Sequence, residues 1–308
     1  MIQKFQLIVK LTLPNNDIIR DMGMLNDGRL AVVGINSLYI LNTQNFAIEI
    51  NYKFTKEYSS RKMVELEQNI IFISNFEGID ILNYSKNEIK LMNNITYKDI
   101  NTIAKLSNER VAISLYDRES NKKIIRIIKS KNPYELIKDI ELENDYFCFS
   151  ILQLDETDIL ATNEGQFYDL RDYKLIKNIP VFDNYRPGES QNSLYYLKEK
   201  GILLGAGFCG IFIVKIPDLT LIKEYDGLNN NTIYCPNQFC ELQNGKILCI
   251  SGENAGGTGS FFVFSPDDIN NGEFKLFTED EIMRTLVKIN ETKFAVGLEN
   301  GDVKFYQF

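Results

Sequence analysis

Leu30-Ala31-Val32-Val33-Gly34 is a short β-favouring run closed by a small residue, and the chain repeats it six more times. The other copies are Ile70-Ile71-Phe72-Ile73-Ser74, Arg110-Val111-Ala112-Ile113-Ser114, Asp158-Ile159-Leu160-Ala161-Thr162, Gly201-Ile202-Leu203-Leu204-Gly205, Ile247-Leu248-Cys249-Ile250-Ser251 and Lys293-Phe294-Ala295-Val296-Gly297. From one small residue to the next the steps are 40, 40, 48, 43, 46 and 46 residues. Strand-based repeats of this length are the signature of propeller blades. The fourth unit shows the plan: apolar Phe149–Leu154, a turn, Ile159–Thr162, the hairpin Asn163-Glu164-Gly165, Gln166–Leu170, a turn, and Leu175–Ile179. No helical stripe interrupts the sequence, so the chain reads as all-β.

The last unit ends after three strands, near Arg284–Ile289, Phe294–Gly297 and Val303–Phe308. The N-terminus begins with an alternating segment that puts Phe5, Leu7, Val9 and Leu11 on one face. Residues 1–13 are therefore expected to supply the outer strand of the C-terminal blade. That closes a seven-bladed β-propeller of four-stranded antiparallel blades and hides the unpaired edges. Residues 1–308 are expected to form a single propeller domain. Outer strands share the pairs Ile89-Lys90, Ile137-Lys138, Ile176-Lys177 and Ile222-Lys223, whose lysines discourage edge-to-edge pairing.

The architecture is similar to that of the WD-repeat β-propellers, over essentially the whole chain. The likeness lies in the blade plan. The signature dipeptides are missing, because the sequence has no Trp and no His, and the units end in pairs such as Leu41-Asn42, Leu82-Asn83 and Leu170-Arg171. The resemblance implies a rigid scaffold that binds proteins or peptides on one face and around a central channel. It also implies that the His-to-Asp hydrogen-bond network of standard blades is replaced or missing.

Zero histidine excludes Ser-His-Asp and Cys-His catalysis and histidine-ligated metals. The acidic pairs Asp267-Asp268 and Glu279-Asp280-Glu281 fall in connecting loops, as solvated charge does. Ser251–Ser260 is glycine-rich but lacks the Gly-Lys-Ser/Thr ending of a phosphate-binding loop. Cys148, Cys209, Cys235, Cys240 and Cys249 are odd in number and show no disulfide or zinc spacing. No catalytic residue, cofactor or metal site is expected. A net charge of −8 and a pI near 4.9 argue against a general nucleic-acid binder. No signal-peptide core or membrane-spanning run is visible, and a cytoplasmic, reducing location is expected.

Aligned repeats expose one constellation. Five residues before the apolar residue that ends each first strand stand Arg20, Arg61, Asn101, Phe149, Asn192, Asn237 and Arg284. First strands of a propeller line its channel, so these positions fall at the channel mouth. The three arginines belong to blades that are neighbours once the ring closes, and guanidinium forks suit carboxylate or phosphate. Eight residues before the same mark stand Tyr58, Tyr146 and Tyr234, with Tyr97 one place off. The rim residues are expected to bind a partner protein or peptide in a non-enzymatic scaffold or adaptor. The alternative function is a sensor of a small anionic or phosphorylated ligand. Against both stands the expectation that the arginines merely pair with Asp17, Asp21 or Glu281.

Overall fold

A computed structural model of the chain describes residues 5–55, 62–67, 69–75, 77–142, 148–155, 157–179, 193–207, 210–226, 236–243, 245–251, 259–267 and 275–308. Among the described residues, the only helical pieces are two single 3-10 turns, Pro14–Asn16 and Lys198–Lys200. Strand β1 (Gln6–Thr12) precedes the first sheet. Blade 1 comprises β2 (Ile19–Met24), β3 (Leu30–Gly34), β4 (Ser37–Leu41) and β5 (Ile48–Lys53). Blade 2 comprises β6 (Met63–Glu65), β7 (Ile70–Asn75), β8 (Gly78–Tyr84) and β9 (Ile89–Ile95). Blade 3 comprises β10 (Ile100–Leu106), β11 (Arg110–Asp117), β12 (Lys122–Lys129) and β13 (Leu136–Glu141). Blade 4 comprises β14 (Ile151–Gln153), β15 (Ile159–Thr162), β16 (Gln166–Asp169) and β17 (Lys174–Asn178). Blade 5 comprises β18 (Leu194–Leu197), β19 (Ile202–Gly207), β20 (Gly210–Lys215) and β21 (Thr220–Asp226). Blade 6 comprises β22 (Pro236–Glu241), β23 (Ile247–Ser251), β24 (Gly259–Phe264) and β25 (Lys275–Glu279). Blade 7 comprises β26 (Met283–Asn290), β27 (Lys293–Leu298), β28 (Asp302–Gln307) and, as its fourth strand, β1. All pairings with a described register are antiparallel, and the fold is a seven-bladed β-propeller.

The chain divides into two compact units. One holds Met1–Ile73, Ile81–Met92 and Asn237–Phe308. In it β2 lies against β26 and β6, and β23 against β26. The other holds Ser74–Asp80 and Asn93–Pro236. In it β14 lies against β10 and β18.

Second strands are buried on both faces, which is why they read as unbroken apolar runs: all five residues of β3 and of β23 are buried. The small residue that ends each run has a steric cause. A Cβ on Gly34 would lie 2.2 Å from Asp17 Oδ2, and one on Gly297 would lie 2.7 Å from a methyl of Ile19. In the second unit a Cβ on Gly205 would lie 1.9 Å from the Phe212 ring. Ser74, Ser114, Thr162 and Ser251 fill the same place elsewhere and are buried.

At the other end of the first strands, cations cross from blade to blade. Arg29, in the β2–β3 turn, donates to Ser85 O at 2.9 Å and Lys86 O at 3.3 Å in blade 2, and its guanidinium lies 5.6 Å from the Tyr84 ring centre. Arg110, opening β11, donates to Leu170 O at 3.2 Å and Tyr173 Oη at 3.3 Å in blade 4. Lys293, opening β27, stands 6.0 Å over the Phe46 ring of blade 1. These contacts hold neighbouring blades together.

The closing strand departs from its expected alternation. The β1–β28 register shifts between Leu7 and Val9. Phe5 therefore packs against the core between blades 6 and 7, with Phe261 at 5.6 Å and Phe294 at 5.2 Å. Val9 and Leu11 pack on the opposite side, between blades 7 and 1, and Leu7 is left 47% exposed. A bulge of one residue turns the strand over, which simple alternation cannot foresee. The Ile-Lys pairs of the outer strands differ too: Ile89 is buried, whereas Ile137, Ile176 and Ile222 are exposed.

A polar latch fixes the β1 seam. Asp302, 3% exposed, accepts from Thr12 Oγ1 at 2.6 Å and Asn300 Nδ2 at 2.9 Å and pairs with Lys10 Nζ at 2.7 Å. Leu13 N–H donates to Gly301 O at 2.9 Å. Gly301 has φ +86°, and a Cβ there would strike the Asn16 backbone at 2.7 Å. Burial pushes the Asp302 carboxyl up, but the hydrogen bonds from Lys10 and Thr12 outweigh it and hold the carboxyl below its usual range. Asp302→Ala should cost about 2 kcal/mol in urea unfolding, the usual loss for hydrogen bonds to a buried charge. The folded carboxyl titrates lower than the unfolded one. The wild-type advantage should therefore be complete above the ordinary value of 3.8 and fade as pH falls through the folded value.

Candidate functional site

Three of the expected rim residues are bulge residues. Ile19 pairs with Gly34 and Asp21 with Val33, so Arg20 is left over in the ladder. Ile100 pairs with Leu115 and Thr102 with Ser114, leaving Asn101. Met283 pairs with Leu298 and Thr285 with Gly297, leaving Arg284. A bulge at the start of a first strand re-aims one side chain out of the alternation, and here it does so at the position found by aligning the repeats. Arg20 and Arg284 belong to one unit, where β2 and β26 lie side by side. Asn101 is half-buried in the other.

Among the described residues, Arg20 and Arg284 make none of the pairings expected with Asp17, Asp21 or Glu281. Asp17 is already taken: its carboxylate accepts from Asn36 N at 2.9 Å, Asn36 Nδ2 at 3.1 Å and Tyr39 Oη at 3.1 Å. Asp21 accepts from Met22 N at 3.0 Å and Met63 N at 2.9 Å, with Lys62 Nζ at 3.8 Å. Arg284 instead pairs with Glu299 of its own β27–β28 hairpin, Nη2 to Oε1 at 2.7 Å. Glu299 is set in place by its backbone N–H, which donates to Ile282 O at 3.0 Å. Arg20 makes no ion pair among the described residues. The Nε of Arg20 and that of Arg284 are both buried without a hydrogen-bond partner. Burial pushes the Arg20 pKa down, the Arg284 charge pushes it further, and Glu299 opposes the shift.

Asn237 lies beside this pair but is a bracket, not an exposed rim group. It is 4% exposed, and its Nδ2 donates to the backbone oxygen of Arg284 at 3.1 Å. Tyr97, expected near the rim, lies beneath Arg126 at 5.0 Å, and Arg126 forks onto Asp139 at 2.8 and 2.7 Å. Arg61, Asn192, Tyr58, Tyr146 and Tyr234 lie outside the described residues, as do Cys209, Cys235 and 252–258 of the glycine-rich stretch.

One unusual group escaped the sequence. Glu164, in the β15–β16 hairpin, is pushed up to about 7 by burial, against hydrogen bonding from Asn163 and the charge of Lys123. Asn163 Nδ2 donates to its Oε1 at 2.9 Å, and Asn163 Oδ1 accepts the N–H groups of Phe149 and Ser150, both at 3.0 Å. Asn-Glu-Gly reads as an exposed turn, and only the folded hairpin reveals the burial.

The described thiols are poor nucleophiles. Cys148, Cys240 and Cys249 are free and buried. Burial pushes Cys240 up to about 12 and the other two in the same direction. Among the described residues no group of His, Cys, Asp or Glu could hold a metal ion.

These features define a seven-bladed β-propeller with a pair of arginines at the bulged starts of adjacent first strands. Two solved structures share the fold over nearly the whole chain. One is the WD40 β-propeller domain of Doa1, at 13% identity and TM-score 0.73, covering 99% of this chain and 98% of that one. The other is virginiamycin B lyase from Staphylococcus aureus, at 10% identity and TM-score 0.75, covering 99% of this chain and 100% of that one. No family model and no curated protein matches the sequence. At such identities the likeness is one of fold. One neighbour is a WD40 domain and the other a lyase, so the residues, not the fold, must decide the chemistry.

The Glu164 environment carries a pH signature. The folded carboxyl titrates near 7 and the unfolded one near 4.5. The folded state then holds the extra proton between these values, and stability should fall as pH rises from 4.5 to 7 and level off above. Glu164→Gln should remove this component, raising the melting temperature relative to wild type more at pH 8 than at pH 5.

Proposed function

We propose that the chain is a non-enzymatic interaction scaffold or adaptor, and that residues 1–308 work as one propeller domain. It would hold a partner protein or peptide at the starts of its first strands. The observation that carries this is the Arg20–Arg284 pair: two half-buried guanidiniums on an acidic chain, of which only Arg284 is paired with a carboxylate among the described residues. Cations held this way cost free energy when left alone, and a partner recovers it. Asn101, at the equivalent bulge of blade 3, extends the same readout with an amide. Arg61, Asn192, Tyr58, Tyr146 and Tyr234 are assigned to the same rim from their places in the repeat.

Against catalysis stand the absence of histidine from the sequence and the suppressed thiols. A net charge of −8 disfavours nucleic acid as a general partner. Among the described residues no helix is long and apolar enough to cross a membrane. Buried free cysteines suit a reducing, cytoplasmic setting. The alternative, a sensor of a small anionic or phosphorylated ligand, is favoured by the lack of an ionic partner for Arg20 among the described residues. Replacing Arg20, Arg61 and Arg284 together with Glu should abolish recovery of partners in affinity purification with mass spectrometry. Unchanged recovery by a folded triple variant would remove these arginines from the interface.

A further inference from the structure

We infer that the Arg20–Arg284 pair is a receptor for a single carboxylate, presented by an acidic peptide segment of the partner. The inference rests on the scaffold reading and names the group that the scaffold recognises.

Charge balance points to the monoanion. Arg284 is bound to Glu299 through one terminal nitrogen at 2.7 Å, whereas Arg20 makes no ion pair among the described residues. Among the described residues, two guanidiniums and one carboxylate leave one net positive charge. A peptide carboxylate neutralises it. A phosphate dianion would overshoot and place its excess charge beside Glu299, where like charges cost free energy in a half-desolvated site. The neighbouring acids cannot supply the missing charge from within, because Asp17 is engaged by Asn36 and Tyr39 and Asp21 by backbone amides and Lys62.

Geometry adds a donor. Arg20 is the extra residue of a bulge, so its side chain is free of the ladder alternation, and its buried Nε lacks an acceptor. A carboxylate would meet the two terminal nitrogens of the half-exposed Arg20 by the end-on fork that guanidinium and carboxylate form, beside the buried Nε. Arg284 is fixed next to it by Glu299 and by the Asn237 bracket on its backbone. The site is thus half-occupied from within: Glu299 shows how a carboxylate is held, and Arg20 awaits the second.

The test follows the arginine Nε–H resonances of the full chain by NMR while tetraglutamate, succinate or inorganic phosphate at pH 8 is added at constant ionic strength. Arg20→Gln assigns the resonance and removes no hydrogen bond. A saturable shift of the Arg20 signal is expected with tetraglutamate, a weaker one with succinate, and the weakest with phosphate. Arg20→Gln should lower the affinity for tetraglutamate by about tenfold, the worth of one charge-assisted fork. Glu299→Gln, which leaves two net positive charges, should strengthen phosphate binding more than tetraglutamate binding. Stronger phosphate than tetraglutamate binding in the wild type would overturn the carboxylate assignment, and so would no shift at up to about 10 mM tetraglutamate, far weaker than a millimolar contact worth about 4 kcal/mol. Succinate binding as tightly as tetraglutamate would favour a small-molecule sensor and overturn the peptide assignment. Partner recovery that survives while all three probes fail would sink the carboxylate receptor and leave the scaffold standing. An Arg20-dependent tetraglutamate shift without any recoverable partner would do the reverse.

Discussion

How little room is left at the end of a second strand governs the rest of this fold. At Gly34 the Asp17 side chain lies where a Cβ would have to be, at Gly297 Ile19 of the neighbouring first strand does, and at Gly205 the Phe212 ring of the paired strand does. Glycine removes the obstacle, and the buried Ser74, Ser114, Thr162 and Ser251 keep it small. Close approach lets both faces of the second strand be covered, which forces its sequence to be apolar throughout. The same approach crowds the start of the first strand. Bulges at Arg20, Asn101 and Arg284 lie opposite these small residues, at Gly34, Ser114 and Gly297. A packing requirement in the core thus coincides with the placement of the polar residues proposed to face a partner.

The blade plan was legible because the small residue and the apolar run repeat together, and a repeat averages out local errors of strand assignment. The bulge positions Arg20, Asn101 and Arg284 were legible for a related reason. Counting back a fixed distance lands on the bulge residue even though nothing in Ile19-Arg20-Asp21 announces a bulge. Side-chain direction was less accessible. Leu7 shares the alternation of Phe5, Val9 and Leu11 in sequence, yet one extra residue in the ladder separates them onto two faces. Ion-pair partners were also hidden. Glu299 sits in a hairpin that reads as a solvated turn, while the nearer acids Asp17 and Asp21 are consumed by backbone and tyrosine donors. Glu164 escaped for the same reason, since burial of a hairpin carboxylate depends on its neighbours and not on its own stretch of chain.

The chain has no histidine or tryptophan with which to bridge its blades. Arg29 and Arg110 meet the need differently. Each leaves the first turn of its blade, crosses to backbone carbonyl oxygen of the next (two for Arg29, one for Arg110), and meets a tyrosine there. Lys293 makes a plainer version against Phe46. A guanidinium can bond carbonyls and meet an aromatic at once, so one residue makes several contacts across a blade interface. It also places fixed positive charge inside the blade contacts of an acidic protein.

The seam between β1 and β28 has a mechanical consequence. The two strands are antiparallel and pair Gln6 with Gln307, so the two ends of the chain leave the sheet side by side. Tension applied through those ends would act across the strands and open the ladder one pair at a time, from Gln6 towards Thr12. Asp302, with Lys10, Thr12 and Asn300, sits at the far end of that zipper. The latch would be the last part of the seam to feel the load, and the exposed Leu7 among the first.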